Sequence, residues 1–345
     1  MRVGIVGVGF MGWIHYLAYQ RSRRAELAAF CSRDGAKRQG DWRGIQGNFG
    51  PPGEVISMDG LTAYESLDEM LRAPDLDVID ICLPPHLHAE AIERTIAAGK
   101  RAFCEKPLAL DTKTARHLAG IGKPGDVMVA HVLPFMNGFD LLAGAASDKR
   151  FGAPIAGRFK RTISPPDWIP DFYNPETVGG PLIDLNVHDA HMLRLIFGMP
   201  QAVTSECLRR NGTAKFYESL FHFSNEVAVS IGGGVIDSPA RGFTHGFEVT
   251  FERATVQFEF AAYSDEITAT IPLVILHKDG TIERPAESVS DPIESFLAEI
   301  DAAAASISGG LIDPRLDVQT AADAIEICHW QAATRSDSLN RAGAV

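Results

Sequence analysis

The chain has 345 residues, 46% of them hydrophobic and 22% charged, with a formal net charge of −12. That length suggests about two domains of roughly 100–200 residues, each able to bury a sizeable core. The acid excess argues against nucleic acid or an anionic membrane as partner, because both are bound by Lys and Arg that displace counterions.

Taken in chain order, Val3–Val6 reads as a strand, Gly7–Gly12 as a glycine-rich turn, and the next stretch as a helix to about Arg21. Leu27–Cys31 is a second strand, Lys37–Gly53 a loop and Leu67–Leu71 a short helix. Val78–Leu83 is a continuous apolar strand broken only by Asp80, stopped by Pro84–Pro85 and followed by a helix from about Ala89 to Ala98. Arg101–Cys104 (strand), Thr112–Ala119 (helix) and Val127–Val132 (strand) continue the alternation. Strand and helix in alternation imply a parallel sheet with right-handed crossovers, covered on both faces. The pattern changes at Gly122–Gly125, and the domains are expected to be 1–122 and 123–345. Beyond a helix at Val187–Phe197, six β-rich runs follow: Ala202–Cys207, Tyr217–Phe223, Glu226–Ile231, Gly246–Phe251, Thr255–Phe260 and Thr268–Leu276. Turn signals such as Ser224–Asn225 and Asp279–Gly280 separate them, so they predict a mainly antiparallel sheet. Two amphipathic helices, about Pro292–Ser306 and Val318–Thr334, end the chain. The fold class is therefore α/β: an N-terminal Rossmann domain followed by an α+β domain with an open sheet. One face of that sheet is expected to be open, with Val227–Ile231 and Val256–Phe260 offering apolar residues to a homodimer or homotetramer contact.

The five cysteines, Cys31, Cys82, Cys104, Cys207 and Cys328, form no close pair of metal-ligand type and read as small buried hydrophobes in a reducing cytoplasm. No charged-then-apolar leader opens the sequence, and no apolar run approaches a bilayer span. No membrane partner is expected.

Gly7-Val8-Gly9-Phe10-Met11-Gly12 fits the dinucleotide fingerprint. The string alone is weak, but here it follows an apolar strand and opens a helix, the context the motif requires. Gly7, Gly9 and Gly12 permit the turn and the close approach of a pyrophosphate, with Phe10 and Met11 between them at the helix N-terminus. At the end of the second strand an NAD enzyme usually places an acid for the ribose 2′-hydroxyl. Here Ser32 and Arg33 stand, and a hydroxyl with a guanidinium suits a 2′-phosphate, so NADP is expected ahead of NAD. The other reading gives the ribose to Asp34 and leaves Arg33 exposed or stacked on adenine.

Cys104-Glu105-Lys106-Pro107, together with the opening fingerprint, resembles the glucose-fructose oxidoreductase / inositol dehydrogenase / MocA family. Leu83-Pro84-Pro85-His86-Leu87-His88 resembles that family's turn beside the nicotinamide, and Gly179–Asp189 its Gly-Gly, Asp and His motif. The resemblance covers essentially the whole chain. It implies a nicotinamide in the crevice between the two domains, with Leu83, Pro84, His88, Glu105 and Lys106 beside it, and a sugar, cyclitol or related polyol as substrate. One departure stands out: the family often has Asp three residues after the His, and here that residue is His191.

Oxidising a secondary alcohol sends a hydride to the nicotinamide and a proton to a base whose pKa lies near working pH. Lys106 follows a strand end, where α/β ligands sit, and by itself reads as an exposed lysine. The resemblance makes it the group that polarises the reacting oxygen, with Glu105 placed to orient its ammonium. Asp184 and His188 are four apart and share a face if one helix carries both. His188 is then the proton acceptor and Asp184 its support, against the plainer reading of a helix-start Asp with a core His. Asp184, His188 and His191 also suggest a metal, but no ligand set is complete and none is expected. Trp168, in the loop Ser164–Tyr173, either covers a sugar face or packs on a neighbour. The expected activity is an NAD(P)-dependent dehydrogenase or reductase. The rivals are a lyase or glycosidase that uses a resident cofactor for transient oxidation, and a dinucleotide-sensing regulator without turnover.

Overall fold

Apolar strands and capped helices alternate from the start of the chain. In order these are β1 (Arg2–Val6), α1 (Phe10–Tyr19), β2 (Glu26–Cys31), α2 (Gly35–Arg38), β3 (Thr62–Tyr64), α3 (Leu67–Leu71), β4 (Val78–Ile81), α4 (His88–Ala97), β5 (Arg101–Glu105), α5 (Thr112–Ala119) and β6 (Val127–Ala130). Short polar side chains start several of the helices: Ser66 accepts from the Glu69 N–H at α3, and Asp111 from the Thr114 N–H at α5. The six strands form one parallel sheet in the order β3-β2-β1-β4-β5-β6. The central strands are buried on both faces, as Val3, Ile5, Ile79, Ile81 and Phe103 show.

The chain continues with α6 (Phe139–Ser147), β7 (Pro154–Ile163), α7 (Gly180–Asp184), α8 (Val187–Phe197), β8 (Ala202–Arg210), β9 (Thr213–His222), β10 (Ala228–Val235), β11 (Arg241–Phe251), β12 (Ala254–Tyr263), β13 (Ile267–His277), β14 (Ile282–Glu283), α9 (Pro292–Gly309) and α10 (Val318–Ala333). The second sheet has eight strands, ordered β14-β13-β12-β11-β7-β10-β9-β8. All its pairings are antiparallel except β7 with β10. This computed structural model describes residues 1–166, 172–210, 212–224, 226–285 and 291–333, so Trp168, Asn225 and Thr334 lie outside the described residues.

The chain divides into two compact units, one of residues 1–136 with 289–322, the other of residues 137–288 with 323–345. The boundary expected after residue 122 falls too early, because β6 pairs with β5 in the parallel sheet. The last residues also do not all belong to the second unit: α9 returns to the first, where Phe296 stacks on Phe49 with ring centroids 5.8 Å apart. The strand β7 was not anticipated from sequence, since Arg158, Lys160 and Arg161 interrupt its apolar residues. The expected apolar open face is corrected as well. Val229, Ile231, Val256 and Phe258 point to the buried side of the second sheet. Period-2 alternation leaves Ser230, Arg158, Glu248 and Gln257 in one row across the other face, beside exposed Leu220. Among the described residues no helix is long and apolar enough to cross a membrane.

Candidate active site

In the first unit the chain leaves β1 through Gly7 at φ +100°, where a Cβ would lie 2.5 Å from the Cys82 carbonyl oxygen. A Cβ at Gly12 would meet the Gly7 carbonyl oxygen at 2.2 Å. The protein itself excludes side chains at these two positions. Gly9 is different, because a Cβ there would meet nothing within 4 Å. Gly9 is the N-cap of α1, no side chain caps that helix, and its first turn holds no acid. The result is open space above free backbone N–H groups and a positive helix end, a fit for the pyrophosphate of a dinucleotide. Lys37 Nζ donates to the Val8 carbonyl at 2.6 Å and fastens the loop to α2.

After β2, the Ser32 hydroxyl accepts the Asp34 N–H at 3.3 Å. Asp34 is the N-cap of α2, its carboxylate accepting from the Ala36 and Lys37 N–H groups at 2.8 and 3.3 Å. The Arg33 side chain is exposed. The residue that the alternative reading offered to the ribose thus already serves a helix cap.

The turn after β4 leaves Leu83 half-buried and Pro84 exposed. His88 departs from expectation. It is fully buried, with Nδ1 2.8 Å from the Pro107 carbonyl oxygen and Nε2 2.7 Å from that of Leu83. Burial pushes the imidazole below its usual range, against the pull of these two carbonyls. The ring therefore lies between the turn and the end of β5, with a backbone carbonyl facing each nitrogen.

At that strand end the Lys106–Pro107 bond is cis, and Lys106 is half-buried. Glu105 is buried, its Oε2 accepting the Lys106 backbone N–H at 3.1 Å and its Oε1 lying 3.1 Å from His15 Nε2. His15 Nδ1 is 2.8 Å from Asp80 Oδ2, which also accepts the Tyr19 hydroxyl at 2.9 Å. Sequence reading missed this network. The signal was Asp80, a lone charge in an apolar strand, whose partner on α1 is adjacent only because β1 and β4 pair.

In the second unit Gly179 and Gly180 both have positive φ, +86° and +71°, and a Cβ would strike Ile183 and Thr213 at 2.5 and 2.3 Å. That turn leads into α7, with Asp184 as its last residue, and His188 lies in the first turn of α8. The single helix assumed for Asp184 and His188 is therefore interrupted at Leu185–Asn186. The N–H groups of both Leu185 and Asn186 bond the Pro181 carbonyl, at 3.1 and 3.0 Å, while the Asn186 amide donates to Gln331 Oε1 at 2.7 Å. Asp184 and His188 are each half-buried. The next residue, Asp189, is wholly buried and takes a two-pronged bond from Arg161 of β7, Nε to Oδ2 at 2.7 Å and Nη2 to Oδ1 at 3.1 Å. Arg161 was also missed, because its strand was missed. His191 is buried and its pKa is pushed down to about 3 by burial and Arg194, so it is neutral. Among the described residues Asp184, His188 and His191 do not bring three ligand atoms together around one ion.

Residues 1–131 match the family model described as "Oxidoreductase family, NAD-binding Rossmann fold", and residues 141–257 match "GFO/IDH/MocA C-terminal domain". The chain is 28% identical to inositol 2-dehydrogenase of Rhizobium meliloti (strain 1021), over 87% of this chain and 89% of that protein. It is 25% identical to D-xylose 1-dehydrogenase (NADP(+)) 2 of Haloferax volcanii, over 92% of each. Among solved structures, levoglucosan dehydrogenase in complex with NADH and L-sorbose has the same fold, with a TM-score of 0.76 at 18% identity over 97% of this chain and 96% of that one. The glycine loop at α1, the Glu105-Lys106-Pro107 strand end and the two matched halves lead to one assignment: this chain belongs to the GFO/IDH/MocA oxidoreductase family, with an NAD-binding Rossmann fold in its first part.

Proposed function

We propose that this protein is an NAD(P)-dependent dehydrogenase or reductase acting on a CH–OH group of a sugar, cyclitol or related polyol. The observation that carries the reading is the open, uncapped helix start at Gly9, three residues from β1, in a chain similar over 87% of its length to an inositol 2-dehydrogenase. A dinucleotide held at the Gly7–Gly12 loop would supply hydride transfer to or from the carbinol carbon. Lys106 holds its positive charge against the reacting oxygen and stabilises the alkoxide as it develops. His188 takes the hydroxyl proton, and in the reverse direction gives it back. Asp184 supports the pair. Leu83 and Pro84 would line the nicotinamide. Ser32 and Arg33 serve the ribose, and their chemistry favours a 2′-phosphate, while the relatives' names include both an NADP(+) enzyme and one bound to NADH.

The test follows the reduced nicotinamide by absorbance against a panel of polyols. Lys106→Ala and His188→Ala should each lower turnover about a hundredfold or more. Dinucleotide binding should survive in His188→Ala, and the double variant should be little worse than the poorer single. Near-normal turnover of His188→Ala on its best substrate would remove the histidine from the mechanism. Arg33→Ala should weaken NADP about tenfold more than NAD; equal losses would reduce Arg33 to an adenine contact. Association as a homodimer or homotetramer belongs to the same reading, with Leu208 and Leu220 the exposed apolar side chains on the outer face of β8 and β9, and light scattering is its measure.

A further inference from the structure

We infer that His15 is a positioning residue for this chemistry: a doubly protonated imidazole that ties Asp80 to Glu105 and, through Glu105, fixes the backbone from which Lys106 projects. The inference rests on the proposed role of Lys106. A neutral imidazole has one N–H and one lone pair. His15 has a carboxylate oxygen at each nitrogen, Asp80 Oδ2 at 2.8 Å and Glu105 Oε1 at 3.1 Å, so the two bonds need two ring protons. Charge balance points the same way. His15 is fully buried between two acids, with Tyr19 on its own helix, Cys82 just after β4, Cys104 on β5 and Glu299 on α9 nearby, and Arg315 acts on Glu299 from farther along the chain. Burial opposes a charged imidazole, yet Asp80 holds it well above the usual histidine range.

The mechanical consequence follows from Glu105. One of its oxygens meets His15 and the other accepts the Lys106 backbone N–H at 3.1 Å. With the imidazolium in place the carboxylate cannot rotate, and the start of the Lys106 side chain is set. Without it, the Asp80 and Glu105 carboxyls stay buried with no cation between them, and one must turn away or take up a proton. A misplacement of under an ångström at the lysine is enough to slow the reaction.

Two measurements on the full chain test this. Long-range proton–nitrogen spectra, assigned by the signals lost in His15→Gln, should show both ring nitrogens of His15 protonated at about pH 8, where an ordinary histidine is neutral. Asp80→Asn, which keeps the shape and removes a charge, should bring its titration down into the ordinary range; this variant serves if His15→Gln does not fold. In kinetics, His15→Gln should lower kcat about tenfold while dinucleotide Kd stays within about threefold. In a Lys106→Ala background the same change should cost nothing further, because His15 acts through the lysine. A neutral His15 at about pH 7, with the proton on Asp80 or Glu105 instead, overturns the proposal. So does an equal loss in both backgrounds, the mark of a structural role alone. If Lys106→Ala itself turns over normally, the proposed function of the lysine fails, and the spectra still decide the charge on His15.

Discussion

Each unit buries a charged cluster next in the chain to a residue proposed for the chemistry, and the two clusters draw their cation from different side chains. In the first, His15 sits between Asp80 and Glu105, next to Lys106 in the chain. In the second, Arg161 grips Asp189, next to His188, and the buried histidine at the cluster, His245, has its Nδ1 3.5 Å from Arg161 Nη1. Both imidazoles are surrounded by rings, Phe103 and Phe296 for His15, Phe139, Phe243, Phe258 and Phe260 for His245. Their charges nevertheless diverge. Asp80 holds His15 up against its burial, whereas burial followed by Arg161 drives His245 well down. An apolar cage alone makes histidine neutral; one carboxylate in hydrogen-bond contact reverses that. The cation in each cluster is whichever group the neighbouring acids can pair.

The largest expected effect breaks the second cluster. Arg161→Ala leaves Asp189 buried without its cation and should cost about 3–5 kcal/mol in urea unfolding, whereas replacing both residues with Met and Leu should cost much less. A loss below about 1 kcal/mol for the single variant would mean that this ion pair is not what anchors the start of α8.

The pH dependence sharpens the contrast. His191 is neutral when folded, as His245 is, and its pKa is about 3, while the unfolded chain protonates it near the ordinary 6.5. Its contribution is therefore present above about 6.5 and lost as pH falls toward 3, at about 1.4 kcal/mol per pH unit where the proton uptakes differ. His15 has the opposite sign. Its folded pKa is raised, so its contribution is full below the ordinary 6.5 and lost as pH rises through the raised one. His191→Leu should flatten the acid limb of stability and His15→Gln the alkaline limb. Unfolding midpoints from about pH 4 to 9 would show it, and identical profiles for the two variants would end the comparison.

The smallest effect concerns Glu299, buried on α9 with no partner for either carboxyl oxygen among the described residues. Burial, with Glu105 adding to it, lifts its pKa well above the ordinary 4.5, so the folded chain keeps a proton that the unfolded chain releases as pH rises. Glu299→Gln supplies a neutral group permanently and should gain about 1 kcal/mol at neutral pH by thermal unfolding. A loss would mean that the carboxylate is charged and in use.

Much of this was legible in the residues. The parallel sheet followed from apolar runs alternating with helical patterns, and the glycine loop from three residues set between a strand and a helix. The hidden parts depend on partners distant in sequence. Asp80 marked itself as a charge inside an apolar strand, but His15 becomes its neighbour only through the register of β1 with β4. Arg161 lies on a strand whose charges mask its alternation. The break between Asp184 and His188 is held by Asn186 bonding Gln331, which no local pattern contains. His88 sits in the turn expected beside the cofactor, and its ring nitrogens face backbone carbonyls of its own unit.

The place of β7 bears on how the second sheet is made. β8, β9 and β10 form one antiparallel run, β11, β12 and β13 another, and each can zip from its own turns. β7 precedes both in the chain and lies between them, pairing Ala156 with Ala228 on one side and Thr250 on the other. Of this sheet's strands β7 is synthesised first, and it pairs only after β10 and then β11 have followed, across long loops that must close. Until β11 is synthesised β7 has one open edge, and a chain cut short before it exposes that edge to any passing strand.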